Sequence, residues 1–453
     1  VAEMRDAGKQ DLPDGLQLQV TGPAGFAADT ASAFDGANFA LLGISALVVA
    51  VLLILTYRSP ILWLVPLLTV AIADRGASLL VELVASKTAL QFDASTAGIM
   101  SVLVFGAGTN YALLLISRYR EELRRHENHR EALSIATRAS TSAIVSSNLT
   151  VVFALLALAL AVVPAYRYLG ISLSIGLLVA LAFALFVLPA ALSLCGRGLF
   201  WPKIPRVEDE NKTAKSSGWY RVADIVSKRP AAYLAGMVVL LAVLGTGLFG
   251  ANIGLSTTEQ FRTESEAADG LGTISEYTSA GAASPLSVIA PAESAGAVTE
   301  AIESVDGAEI QGPPTESIDG TLTRFTVVTD SEPATADNFR EIEALREAAH
   351  EVAPEALVGG QSAQTLDTRD ATARDTLLIV PIILVIILFL LMVILRAVVA
   401  PIFLLMATTL SAVAALGAGA LVSEHIFGFP ALDVSVPLYS LIFLIALGID
   451  YTV

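Results

Sequence analysis

The sequence predicts a polytopic α-helical membrane protein that carries an α+β domain outside the bilayer and is built from two copies of one half-protein. Three observations predict this. Nine apolar runs are each about 20 residues long, enough to cross a bilayer as helices. A long acidic segment interrupts them with a different, soluble pattern. One frame of motifs recurs near both ends of the chain. The composition agrees: 55% of the 453 residues are hydrophobic, and the mean hydropathy of +0.69 is too high for a soluble multidomain chain.

The apolar runs are 38–57, 61–83, 95–117, 140–163, 168–194, 231–250, 376–395, 401–422 and 434–453, the last stopping with the chain. The opening "VAEMRDAGKQDLPDG" is polar and has no apolar core of a signal peptide. Orientation follows from the loops. Between Arg118 and Arg138 lie six arginines and four acids, and between Arg197 and Arg229 eight Lys/Arg and four acids. The positive-inside rule puts both loops in the cytoplasm. Alternation then places 251–375 outside. The resulting division is 1–36, the end of one outer domain; 37–195, membrane; 196–230, cytoplasmic loop; 231–250, one span; 251–375, a second outer domain; and 376–453, membrane.

The outer segment from Ala251 to Arg374 holds six arginines and twenty-two acids, a net of −16 that equals the formal charge of the whole chain. A solvated acidic surface accounts for this without a cationic ligand. "PLSVIA" (285–290) alternates as a strand and "ESAGAVTEAIESV" (293–305) has helical spacing. "GAEIQG" and "LTRFTVVTD" alternate again. "TADNFREIEALREAAHEV" (335–352) is an amphipathic helix, and "ALVGGQ" (356–361) a last strand. The order β-α-β-β-α-β is that of the ferredoxin-like split motif. Residues 259–283 read as a connecting arm without strong structure.

The two copies are aligned by "GLQLQVTGPAGFAAD" (15–29) and "ALVGGQSAQTLD" (356–367), each read as a strand ending in glycine, a short arm and a membrane helix. After each helix come an arginine (Arg58, Arg396), a second span, an outer loop and a third span. The third spans carry "GAGTNY" (106–111) and "LGIDY" (447–451). Both copies have the same orientation, as in a parallel repeat. The frame predicts a fragment, with one membrane helix before residue 1 and at least two after residue 453.

Asp450 is the leading candidate for chemistry. A carboxyl group within a span is costly and marks ion or proton pathways. Gly448 admits a close neighbour, and Tyr451 can hydrogen-bond an acid on an adjacent helix. Asn110 and Tyr111 occupy the sister positions. An amide donates and accepts hydrogen bonds but does not titrate, so Asn110 is expected to hold the Asp450 carboxyl rather than share its task. Asp74 and Arg75 are the other charges within a span. Neighbours on a helix project about 100° apart, so each is expected to face its own partner. Ser142, Ser146 and Thr150 form one stripe, and Thr141 and Asn148 another; such stripes glue helices together or line a proton path.

No cofactor is implied. There is no G-x-x-x-x-G-K-[ST] loop for ATP, no H-E-x-x-H and no nucleophile elbow, so the residues do not describe an enzyme. One cysteine, Cys195, and four scattered histidines describe no metal site. His126 and His129 share a polar loop without a third ligand. Nothing in the pattern addresses nucleic acid. Helix faces that meet lipid read the same as faces that meet another subunit, so a homo-oligomer is left open.

Three stretches resemble the MmpL-type transporters (MMPL family) of the resistance–nodulation–division superfamily: "VLVFGAGTNYALLLISRYREELRR" (102–125), "LPAALSLCGRGLFWPKIPR" (188–206) and "ALGIDYTV" (446–453). The resemblance implies twelve spans in the intact protein, of which these are the second to the tenth, and two outer porter domains. It implies a multi-pass protein of a bacterial, actinobacterial plasma membrane that exports lipids or other hydrophobic molecules by proton influx. The family's relay places an Asp-Tyr pair on the fourth and tenth spans; here these positions are Asn110, Tyr111, Asp450 and Tyr451, and Asn110 departs from the pattern. A non-transporting scaffold for envelope assembly is the alternative. Such a scaffold has no need of the buried Asp450 carboxyl. Duplicated protein-export subunits and sterol-sensing proteins share the architecture but not these signatures.

Overall fold

A computed structural model describes residues 1–10, 12–13, 15–57, 59–202, 204, 218–255, 259, 261, 265–277 and 280–448. In chain order the helices are α1 (Ala2–Lys9), α2 (Pro23–Tyr57), α3 (Leu64–Ala85), α4 (Ala94–Glu122), α5 (His129–Leu156), α6 (Pro164–Ala182), α7 (Leu188–Cys195), α8 (Gly218–Lys228), α9 (Pro230–Gly245), α10 (Glu266–Tyr277), α11 (Ala295–Glu303), α12 (Ala336–Val352), α13 (Gln361–Leu395), α14 (Val399–His425) and α15 (Val436–Gly448). The strands are β1 (Leu286–Pro291), β2 (Ala308–Ile310), β3 (Thr315–Glu316), β4 (Leu322–Thr329) and β5 (Leu357–Gly359). Two compact units result: one of 1–33, 251–374 and 423–436, the other of 34–250, 375–422 and 437–453.

The first unit is α+β. Its sheet runs β2-β4-β1-β5, with β3 pairing the first half of β4. All pairs are antiparallel. With β3 set aside, the order is that of the split β-α-β motif expected from the sequence. Strand alternation has a physical cause: Leu286, Val288 and Ala290 face the core, where Phe325, Ile342 and Leu345 meet them. Thr335 caps α12 by accepting from the Asn338 amide.

Two expectations are corrected here. Residues 15–20 join no ladder; the Val20 amide instead donates to Glu266 Oε1 at 2.9 Å. The presumed arm at 259–283 contains α10, whose first residues anchor this segment. The Asp29 carboxylate accepts from Arg5, from Ser265 Oγ at 2.7 Å and from the Ala267 amide at 3.0 Å. The Arg5 hydrogen bond holds the Asp29 carboxyl down at about 2.

The short arms predicted before the two long spans are also absent. A glycine at positive φ, Gly22 (88°) or Gly360 (125°), ends the preceding segment. A helix of 35 residues then starts at once, α2 in the first copy and α13 in the second. Equal helix lengths after equivalent glycines support the duplication read from the sequence.

The second unit is a helix bundle. Seven helices among the described residues are long and apolar enough to cross a membrane, and 42–57 and 436–448 are shorter apolar helices. In the most apolar window of α4, 67% of residues are buried, against 11% in that of α9, so α4 is central and α9 peripheral. α4 packs against α3, α5 and α6. At the basic end of the bundle the buried Glu122 meets Arg118 at 3.0 Å and Arg125 at 3.9 Å. Arg197 donates to the Glu127 carbonyl at 2.8 Å, tying the chain after α7 to the loop after α4.

Candidate functional site

The core of the bundle is polar where α4, α5 and α6 meet. Tyr111 projects from α4 and is wholly buried. Asn148 projects from α5 and is also wholly buried. Its Nδ2 donates to Tyr111 Oη at 3.1 Å and to the Leu177 carbonyl of α6 at 2.9 Å. The second bond is unusual, because a helical carbonyl normally serves its own helix; the amide thus staples α5 to α6 while holding the Tyr111 hydroxyl. The Asn148 Oδ1 has no hydrogen-bond partner, although the residue is fully buried. An unmade acceptor at this depth is costly, and it sits one carbon from the nitrogen that touches Tyr111.

Asn110 is half-buried next to Tyr111 on α4. Its small neighbour Gly108 admits α3: a Cβ there would lie 2.8 Å from Val70 Cγ2. On α3, Asp74 is buried, faces Ser101 of α4 and leaves Oδ1 without a partner. Arg75 is exposed. The two therefore point apart, as their helical spacing requires. Asp450 and Tyr451 lie outside the described residues. The last described turn of α15 does bring Gly448 against α14, where an added Cβ would lie 2.7 Å from Thr408 Cγ2.

The arrangement can hold a tyrosine hydroxyl in fixed orientation and present unpaired acceptors on α3 and α5 within the bundle. Among the described residues no group of three His, Cys, Asp or Glu is placed to hold a metal ion.

One functional candidate escapes the sequence. Asp375 of α13 is fully buried. Its Oδ1 accepts from the Val162 amide at 2.9 Å and its Oδ2 from the Val163 amide at 3.0 Å. Val163 precedes the first residue of α6 and offers no side-chain cap. The Asp375 carboxylate, from the other copy of the repeat, instead holds the two amides that lead into α6. The signal was present: a helix opening "VVPAY" lacks a capping residue and needs an external acceptor. An aromatic contact joins the copies nearby, Tyr166 of α6 against Tyr439 of α15 at 5.3 Å, edge to face.

The bundle, the split β-α-β unit and the duplication define a multi-pass membrane protein with an α+β domain inserted between spans. A family model described as "MMPL family" matches residues 1–233 and 282–453. The chain belongs to the MMPL family. It is 38% identical over its full length to a putative membrane protein, ActII-3, of Streptomyces coelicolor, covering 63% of that protein. It is 34% identical over 99% of its length to the apo-petrobactin exporter of Bacillus anthracis, covering 64% of it. The chain thus spans less than two thirds of these relatives. Over 51% of its length it is 32% identical to the probable transport protein MmpL9 of Mycobacterium tuberculosis, covering 23% of it. Its fold is similar to that of the hedgehog release protein Disp from water bear, with a TM-score of 0.60 at 14% identity, covering 93% of this chain and 61% of that one.

Proposed function

We propose that this protein exports lipidic or other hydrophobic molecules across the plasma membrane and is driven by proton influx. The observation that supports the proposal is the buried Tyr111–Asn148 hydrogen bond, which holds the Tyr111 hydroxyl within the bundle core. Asp450 is the proton carrier in this reading, Tyr451 its neighbour, and Asn110 and Tyr111 the partners that hold the carboxyl when it is neutral. Asp74, Arg75 and Asn148 are coupling residues. The family membership and a relative named as an exporter support the direction of transport. A second reading, a non-transporting scaffold of the cell envelope, draws on Asn110, which stands where a titrating relay has an acid.

Proton flux in proteoliposomes with an imposed pH gradient separates the two readings. The full-length protein is compared with Asp450→Asn and Asn110→Asp, each checked for insertion. The exporter reading expects flux in the parent, none with Asp450→Asn and continued flux with Asn110→Asp. A parent that conducts no protons and is unchanged by Asp450→Asn leaves the scaffold.

A further inference from the structure

The start of α6 is where the second copy of the repeat takes hold of the first. The Asp375 carboxylate of α13 accepts from the Val162 and Val163 amides, which lead into α6. In the same turn Tyr166 of α6 meets Tyr439 of α15 edge to face. Residues 361–374 of α13 belong to the first compact unit, and Asp375 is the first residue of that helix in the second. Asp375 is wholly buried, and each of its oxygens accepts from the backbone of the other copy. A buried carboxylate is a costly way to hold two amides, since a serine or aspartate at the cap would serve α6 locally. What it adds is its place on a distant helix.

α6 leads from this clamp to the polar core. Leu177 lies thirteen residues beyond Pro164, about 20 Å along the helix. Its carbonyl accepts from Asn148 Nδ2 at 2.9 Å, and the same nitrogen donates to Tyr111 Oη at 3.1 Å. The helix has little room to bend in between. An added Cβ at Gly170 would lie 2.5 Å from the Leu155 carbonyl of α5, and one at Gly176 would lie 2.9 Å from Met100 Cγ of α4. A displacement of the first turn therefore arrives at Leu177 with similar size, as in any rigid element. Lengthening the Asn148–Leu177 bond by about 0.7 Å ends it as a hydrogen bond. The amide plane is then free to turn, and its hold on the Tyr111 hydroxyl is lost.

We propose that Asp375 is a positioning residue for Tyr111. From the second copy it sets the register of α6 at which the Leu177 carbonyl holds Asn148 and Asn148 holds the tyrosine hydroxyl. Its functional weight rests on the reading of Tyr111 as a relay group. Asp375 acts through α6 and is not itself a proton carrier in this scheme. The first-copy half of the relay thereby depends on where α13 of the second copy stands.

The test reads the Tyr111 hydroxyl directly. A tyrosine fluorinated next to its hydroxyl replaces Tyr111 in the full-length protein in nanodiscs, and fluorine NMR follows its resonance. Asn148→Leu removes the bond partner and defines the resonance of a released hydroxyl. Asp375→Ala should move the signal most of the way to that value, and Asp375→Asn, which keeps one acceptor oxygen, part of the way. Gly417→Ala, expected to loosen the bundle at α14, should leave it in place. Proton flux in proteoliposomes should fall severalfold with Asp375→Ala. An Asp375→Ala signal at the parent's position overturns the proposal; where that variant does not assemble, an Asp375→Asn signal at the parent's position does the same. So does an equal displacement by Gly417→Ala, which would mark general loosening of the bundle. The fluorine signal does not depend on transport. If Asp375→Ala releases Tyr111 while proton flux is absent in the parent or undiminished in the variant, the relay reading fails and the positioning role stands.

Discussion

Replacing Asp375 with alanine removes both acceptors that hold the start of α6. The two amides donate at 2.9 and 3.0 Å, near-ideal lengths. A hydrogen bond to a charged acceptor contributes about 1.5–3 kcal/mol, and an amide left unpaired in a buried site adds its own desolvation cost. The two donors are not equivalent. Val163 is 8% exposed, whereas Val162 is 50% exposed and its amide can recruit water. One full bond plus a partly compensated one predicts a loss of about 2–5 kcal/mol for Asp375→Ala. Asp375→Asn retains one acceptor oxygen and should lose about half as much. Thermal unfolding of the purified protein measures the loss, and hydrogen exchange at the Val162 and Val163 amides locates it. The reasoning is refuted if the alanine variant unfolds with the parent and Val163 exchanges as slowly as before.

Three further outcomes follow from the same geometry. Asn148→Leu and Tyr111→Phe should be coupled by about 0.6–1.7 kcal/mol in a double-mutant cycle of unfolding, the range for hydrogen bonds between membrane helices; additive effects would mean the bond at 3.1 Å carries nothing. Gly417→Ala should destabilise the bundle by about 1–3 kcal/mol, because its Cβ would lie 2.3 Å from the Leu244 carbonyl of α9, while Gly419→Ala, with open space around it, should be silent in the same melt. Asp29 is held down at about 2 by Arg5, so the stability it contributes is complete above the ordinary carboxylate range and is lost as pH falls toward 2. Arg5→Gln should therefore reduce stability at neutral pH and flatten its loss in an acid titration followed by circular dichroism.

Periodicity made most of the fold legible. The alternation of "PLSVIA" and the helical spacing of 336–352 reflect which side chains face one core, and local sequence reports that directly. Pairing is not local. "LQLQV" alternates as well as β1 does, yet it joins no ladder, and its Val20 amide donates to the Glu266 carboxylate instead. Hydropathy marks where lipid is, not where a helix starts, so the polar first turns of α2 and α13 read as arms. Within the site, Asn148 reads in the sequence as one of a polar stripe, but its reach to Tyr111 and to the Leu177 carbonyl depends on how three helices cross. Asp375 serves an amide more than 200 residues away, and only the uncapped start of α6 hinted at it.

The twin 35-residue helices have a mechanical consequence. At about 1.5 Å per residue each is about 52 Å long, against about 30 Å of hydrocarbon. Each helix is therefore about 20 Å longer than the oily layer is thick. The two helices differ in their interior residues. α2 has no proline after its first residue, whereas α13 contains Pro381, which deletes a backbone hydrogen bond part-way along. Two copies of one design thus differ in their backbone: only the second long helix carries a proline in its interior.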